Sequence, residues 1–396
     1  MAIPFTLPVP RVLRPRRAEP SDAVRPTRAE INLGHLRHNL RVLRRFAGDT
    51  RIFGVLKADA YGHGAPAMAR TLERAGIDGV CVALLEEGVE LRDAGIRVPI
   101  VVMGGYYGQG WGEVLARHLT PVIYDPGHLE SIAREVRFFE APPVAVHLKV
   151  DTGMSRLGVR LDRLDDMLDR IARTPEVRLA GMMTHFANAD AEDLAATESQ
   201  CDLFEGAVHK ARTRGMPIEV VHAANSAALM RVPRAHYDMA RPGIGLFGVA
   251  PLPGITRDLR PVMRVRSEIV ATRHISQGDS AGYSSTWQAS RPSIIATVPV
   301  GYADGLPRAL SNRGRVLIRG RAAPIVGNVS MDLITVDVTD IPGASLRDEV
   351  VILGAQQGVC GSDVITAEEI AGLADTIPWE ILTGISRRVP RFYREP

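Results

Sequence analysis

From residue 51 onward, short apolar runs alternate with segments whose apolar residues recur every three to four positions. The runs RIFGVLK (51–57), GVCVA (79–83), VPIVVM (98–103), TPVIY (120–124), VAVHLKV (144–150), RLAGMMT (178–184), IEVVHA (218–223) and HYDMAR (236–241) predict eight strands. Helical spacing marks 64–76, 84–95, 111–119, 161–173 and the longer 192–215. Strands and helices alternating this way predict a closed (β/α)8 TIM-type barrel. An open doubly wound sheet would show fewer strands and a G-x-G-x-x-G after the first, which is missing here. After residue 262 the period changes. Segments 262–276, 293–300, 315–319, 323–326, 332–338 and 349–353 are Val/Ile-rich with few helical intervals, predicting a mainly β C-terminal domain.

The predicted organisation is a disordered Pro/Arg-rich extension over 1–26, a barrel over 27–261 and a β domain over 262–396. The extension carries six prolines and no apolar run of the signal-peptide kind. It also concentrates charge: residues 1–28 hold six arginines against Glu19 and Asp22, so the rest of the chain is nearly neutral within a total of +3. That balance argues against nucleic acid or an anionic membrane as the main partner. No stretch approaches the roughly 20 apolar residues of a spanning helix. Three widely spaced cysteines, Cys81, Cys201 and Cys360, imply neither a disulfide framework nor a zinc site and fit a reducing cytoplasm. No histidine or cysteine spacing of the metal-binding kind occurs.

The lysine count changes the picture most. Only Lys57, Lys149 and Lys210 stand against 45 arginines. Arginine supplies charge but stays protonated, so a retained lysine has a raised chance of being the imine-forming or basic group. A barrel of this kind collects its chemistry at the C-terminal strand ends. There the first strand ends in Lys57, the fifth runs into KVDTGMSRLG with Lys149 and Arg156, and the sixth ends at His185. The seventh ends in Asn225-Ser226 and the eighth in Arg241-Pro-Gly243-Ile244. A hydroxyl and glycine-exposed backbone N–H groups suit a phosphate, and a lysine facing them suits pyridoxal phosphate. Lys210, in a charged helical stretch, reads as solvated surface.

The motifs LKADAYGHG, KVDTGMSRLG, THFA, AANSAA, ARPGIGLFG, AGYSSTW, VGYADGLPR, GNVSMD and ISRRVPRFY, in that order from residue 56 to 393, resemble the alanine racemases, fold type III pyridoxal 5'-phosphate enzymes. The resemblance implies that Lys57 holds the cofactor as an imine. Tyr61, Asn225, Ser226 and the backbone of Gly243 and Ile244 would address its phosphate, His185 would stack beside its ring, and Arg241 would face its pyridine nitrogen. It further implies two bases, Lys57 on one face of the substrate and Tyr283 on the other, with Tyr283 supplied by the partner in a homodimer. Arg156 and the Met331 N–H would bind the substrate carboxylate, with Tyr302 and Asp332 at the entrance. Lys149 is either an ion-pairing lysine or the bearer of a carbamate that orients Arg156. Trp379 stands where the family commonly has a tyrosine reaching the phosphate, and Ser284 and Trp287 stand where glycine and tyrosine are frequent. The implied activity is interconversion of L- and D-alanine for peptidoglycan. The alternatives are a broader amino-acid (serine) racemase, a fold type III decarboxylase and, from another class, a non-enzymatic cofactor carrier.

Overall fold

A computed structural model describes residues 23–104, 110–252 and 254–395. Eight parallel strands close into a ring: Arg51–Val55, Gly79–Val82, Ile100–Val102, Thr120–Ile123, Val144–Asp151, Val177–Met183, Val220–His222 and Met239–Ala240. Closure is direct, because Val122 and Ile123 pair with His147 and Leu148, while Met239 and Ala240 pair with Arg51 and Ile52. These strands read as nearly unbroken apolar runs because helices cover their outer face and side chains fill the ring. Gly79–Val82 and Ile100–Val102 are buried throughout. The helices Ala65–Arg74, Leu85–Asp93, Trp111–Ala116, Leu164–Ala172 and Ala195–Thr213 fall within the segments that periodicity marks, and Pro126–Phe138 adds another.

The second body is built on a mixed sheet in the order Arg321–Pro324, Arg315–Ile318, Glu349–Gly358, Met263–Glu268, Arg28–Asn32, Arg391–Arg394, with a smaller sheet of Ala271–Ile275, Ser293–Val298 and Ile334–Asp337. The expected boundary at residue 27 needs correction here. Arg28–Asn32 lies in this sheet rather than the barrel, antiparallel to Met263–Glu268 and parallel to Arg391–Arg394. Buried Ala29 and Ile31 fill its inner face, while Glu30 gathers Arg264, Arg266 and Arg394 at 3.1, 2.6 and 2.6 Å. The chain enters the barrel only through the helix Leu33–Ala47, whose N-cap Asn32 accepts from the His35 N–H.

Of the expected extension, residues 1–22 lie outside the described residues. Its last four residues depart from expectation. Arg25 is docked, donating to both oxygens of the buried Asp304 carboxylate at 2.9 and 2.6 Å, a bidentate pair that fixes the segment entering the sheet.

Candidate active site

The strand Arg51–Val55 and Leu56 deliver Lys57 to the barrel mouth, where it opens the turn Lys57–Tyr61. The turn has the wrong hand for L-residues. Ala58, Asp59, Ala60 and Tyr61 have φ of 50°, 58°, 53° and 53°, four successive left-handed residues without a glycine among them. Such residues cost roughly 1–2 kcal/mol each, so the turn stands only because its surroundings over-determine it. The Asp59 carboxylate accepts from the Ala65 N–H at 2.7 Å, and Glu87 accepts from the Ala58 N–H at 2.6 Å. Buried Arg391 donates to the Gly62 carbonyl at 2.9 Å and to those of Ile385, Ser386 and Val389 at 2.5–2.6 Å. Gly62, at φ 80°, lies so close to the helix Pro378–Gly384 that a Cβ would stand 2.4 Å from the Leu382 oxygen.

The mouth is rich in cations. Desolvation first, then the Arg156 guanidinium, lowers the Lys57 pKa from its ordinary value, against the pull of Glu87. Lys149 is buried at the end of Val144–Asp151, and burial with Arg156 and Arg241 pushes it down to about 8. Arg156 rides a loop shaped by Asp151, whose carboxylate accepts from the Gly153 and Ser155 N–H groups at 3.0 Å. Gln200, reaching in from Ala195–Thr213, donates to the Thr152 hydroxyl at 3.1 Å and the His185 carbonyl at 3.2 Å, joining the Arg156 and His185 loops. Lys57, Lys149, Arg156 and Arg241 together make a site for an anion.

Buried Arg241 is already committed. It donates to His222 Nδ1 at 2.7 Å and to the Thr184 and Ala223 carbonyls at 3.0 Å each, with His185 Nδ1 at 3.4 Å. Arginine cannot accept, so Nδ1 of His222 is the acceptor and its Nε2–H donates to His147 Nδ1, 2.9 Å away. Burial and the Arg241 charge hold both rings neutral, His147 at about 4 and His222 well below its ordinary value. The same causes put His185 at about 3, leaving a neutral imidazole at the mouth.

Beside Arg241, Asn225 caps the short helix Ser226–Arg231 through the Ala228 N–H, and the buried Ser226 hydroxyl accepts from Gly243 N–H at 3.0 Å and Gly245 N–H at 3.3 Å. Tyr61 reaches the same place. A Cβ on Gly243 would sit 2.3 Å from its hydroxyl oxygen, so glycine here leaves the room that Tyr61 occupies. Ile244 is buried against this cradle's rim. Hydroxyls, backbone N–H groups and surplus cations are a donor set that fits pyridoxal phosphate.

The remaining candidates gather on the β body. Tyr283 is 73% exposed, and its carbonyl accepts from Asn328 at 2.9 Å. Tyr302 and Met331 are also exposed, with the Tyr302 N–H on the Ser330 carbonyl and the Ala303 N–H on that of Met331. Asp332 is held by Arg388 at 2.7 Å, and Arg388 also meets Asp304 at 3.2 Å. Among the described residues no hydrogen bond or ring contact joins Tyr283 to Lys57.

Comparison with known proteins decides the family. The alanine racemase N-terminal domain matches residues 31–251 and the alanine racemase C-terminal domain matches residues 262–393. The chain belongs to the alanine racemase family. An alanine racemase of Sorangium cellulosum is 62% identical over 379 residues, 94% of this chain and all of that one. The crystal structure of alanine racemase from the D-cycloserine producer Streptomyces lavendulae superposes with a TM-score of 0.89 at 32% identity, covering 94% of this chain and 98% of its own. That of Bartonella henselae alanine racemase, with covalently bound pyridoxal phosphate, gives 0.84 at 30%, covering 93% and 99%.

Two of the departures from the alanine racemase motifs have physical readings. Ser284 adopts φ 61°, which explains why glycine is frequent there and shows that serine is accommodated. Trp379 is half-buried on Pro378–Gly384, the helix pressed against Gly62, with its carbonyl accepting from the Thr383 hydroxyl. Sequence reasoning missed Glu87, His147, His222, Gln200 and Arg391. Each acts through a partner distant in sequence, and only the burial of His147 and His222 within strand runs hints at a role.

Proposed function

We propose that this protein interconverts L- and D-alanine with pyridoxal 5'-phosphate, in the cytoplasm, for peptidoglycan. The observation that carries the reading is the facing pair at one mouth: Lys57 with its lowered pKa, and the Ser226–Gly243 cradle beside Tyr61. Lys57 would hold the cofactor covalently. Ser226, the Gly243 and Ile244 backbone, Tyr61, the Asn225 turn and Trp379 would address its phosphate, and His185 would lie beside the ring. When bound, the cofactor draws electrons from the substrate Cα and makes its hydrogen acidic.

The chain's own groups do the rest. Lys57 exchanges a proton with one face of Cα. Tyr283, on an exposed surface of the other body, serves the opposite face from the partner in a homodimer, so that each site is composite. Arg156 and the Met331 N–H bind the substrate carboxylate, while Tyr302 and Asp332 form the entrance. Arg241 would stand toward the ring nitrogen, with its donors already turned to His222 and two carbonyls and no proton to give up at neutral pH. An arginine in that place would give the ring nitrogen no proton, which would favour quick return of the substrate proton over side reactions.

Lys149 has a second reading that its surroundings favour. Its pKa of about 8 leaves part of it as free amine at neutral pH, and its neighbours Arg156 and Arg241 are cations. Addition of CO2 to that amine forms an N–C bond, releases a proton and puts an anion near both of them. A carbamate carbon signal from labelled bicarbonate, lost in Lys149→Met, tests this, and a spectrum without it leaves the ion-pairing role.

Chiral analysis after incubation with L-alanine tests the main reading. D-alanine supports it. Loss of CO2 with formation of an amine instead would show a decarboxylase, faster turnover of serine a broader racemase, and no turnover a carrier. Borohydride reduction and peptide mapping locate the lysine; label on Lys149 or Lys210 without Lys57 would overturn the assignment.

A further inference from the structure

Glu87 lies outside every motif that marks the site. It stands in the first turn of Leu85–Asp93, after the second barrel strand, yet its carboxylate reaches back to the first. One oxygen accepts from the Ala58 N–H at 2.6 Å, and the other accepts from the Ala83 and Leu84 N–H groups at 2.8 and 3.0 Å. The Leu84 bond is an ordinary reach-back at a helix start. The Ala58 bond is not. It crosses 29 residues to the first amide of the left-handed turn, the one directly after Lys57.

We infer that Glu87 is a positioning residue for Lys57, clamping the left-handed turn to the neighbouring strand end and setting a negative charge beside the amine. The inference rests on the reading that Lys57 holds the cofactor. Backbone geometry and charge placement each support it. A turn in disfavoured backbone space needs outside bonds to persist, and Ala58 is exposed, so without Glu87 its N–H would turn to water. In addition, the charged groups among the described residues that bear on Lys57 from other elements include Arg156, Lys149 and Glu87, with neutral His185 beside them. Glu87 is the acid of that set, and it opposes the lowering of the Lys57 pKa by desolvation and Arg156.

Glu87→Gln tests both halves. A glutamine has one acceptor oxygen, so its NH2 must confront either Ala58 or the Ala83–Leu84 pair, donor against donor. Removing the charge should move the pH midpoint for acylation of Lys57 to lower pH in the full chain stripped of cofactor, with Lys210 as internal reference. Loss of the clamp should speed cofactor release about tenfold or more. Glu87→Asp keeps the charge on a shorter arm, so it should restore the midpoint while release stays fast. A helix cap alone would lower the melting temperature and leave the Lys57 midpoint where it was, which overturns the proposal.

If Glu87→Gln does not fold, hydrogen exchange of the wild-type Ala58 amide decides. Protection at neutral pH that disappears as the carboxylate protonates supports the clamp, and rapid exchange at neutral pH overturns it. Mapping of the reduced cofactor adduct separates the two failures. Label on Lys149 defeats the site reading, whereas label on Lys57 with an unmoved midpoint defeats only the role of Glu87.

Discussion

Gly243→Ala adds a single methyl group where the structure has least room. The φ of Gly243 is −115°, with no left-handed penalty, and the new methyl adds a steric cost. The new Cβ would lie 2.3 Å from the Tyr61 hydroxyl oxygen and 3.0 Å from the ring carbon bearing it, and must open by about 1 Å to reach ordinary contact. Tyr61 has nowhere to retreat. It is buried, its ring centroid stands 5.0 Å from that of Phe247, and His63 stacks on the same phenylalanine at 4.4 Å. Overpacking of a filled site costs about 1–3 kcal/mol, equivalent to roughly a 5- to 150-fold change in an equilibrium constant. The cost should fall chiefly on cofactor affinity, since Tyr61, Ser226 and Gly243 form one cradle.

Gly245→Ala is the matched control, because its Cβ would meet Leu43 at 3.3 Å, Ser226 at 3.5 Å and Met230 at 3.6 Å, contacts that small movements relieve. Pyridoxal phosphate affinity by absorbance titration, with a urea unfolding curve for each variant, separates affinity from stability. Equal affinity and stability in Gly243→Ala and wild type would refute the reasoning, as would a greater loss in Gly245→Ala.

Lys149 is depressed to about 8 from 10.5, so the unfolded chain binds the extra proton between those values, and its contribution makes cofactor-free stability rise with pH from 8 to 10.5. Denaturant midpoints at pH 7, 9 and 10 should show that increment in wild type and a flatter profile in Lys149→Met. His63 and His147, buried and held at about 4, act at the acid end: the unfolded state takes up their protons first, so stability falls as pH drops from 6.5 towards 4. At about 1.4 kcal/mol per displaced unit this amounts to a few kcal/mol per ring, and His63→Phe should lose stability less steeply over that interval. Ala58→Gly relieves a left-handed alanine while loosening the unfolded chain, so it should be neutral or stabilising by up to about 1 kcal/mol, whereas the same change inside a right-handed helix costs about that much. Urea midpoints check it, and a clear loss of stability would contradict the strain assigned to the turn.

The barrel is legible because most of its strands are buried on both faces and so read as apolar runs where the structure puts them; the eighth, within HYDMAR, narrows to Met239–Ala240. The Lys57 mouth is legible for a chemical reason, the near absence of lysine elsewhere. Arg28–Asn32 is hidden because RAEIN is short and half charged, and what makes it a strand is a pair of neighbours hundreds of residues later. Residues 262–276 read as one β segment, but the structure breaks them between Glu268 and Ala271 as the chain passes from the larger sheet to the smaller. The left-handed turn is equally hidden, since KADAY contains none of the glycine or asparagine that usually marks such backbone. Glu87 and Arg391 look like surface charge in a sequence that has plenty, and only the fold shows which carbonyls and amides they meet.

The pairing of Arg28–Asn32 with Arg391–Arg394 also governs the order in which the molecule can be completed. Glu30 and its partner Arg394 are 364 positions apart, so a strand made early on the ribosome waits for nearly the whole chain before its last neighbour exists. The barrel can close in the meantime; the sheet beside it cannot. Alternating charge in RAEIN suits that wait, because a strand carrying Arg28 and Glu30 resists pairing with a stray edge. It also places the first and last strands of the described residues side by side and running the same way, with Ala29 opposite Arg391. Because the two strands run parallel, a circular permutant that joins them needs a crossover linker of about a dozen residues or more; opened at an exposed loop of the barrel, it would bring the two strands close in sequence and remove the longest delay from synthesis.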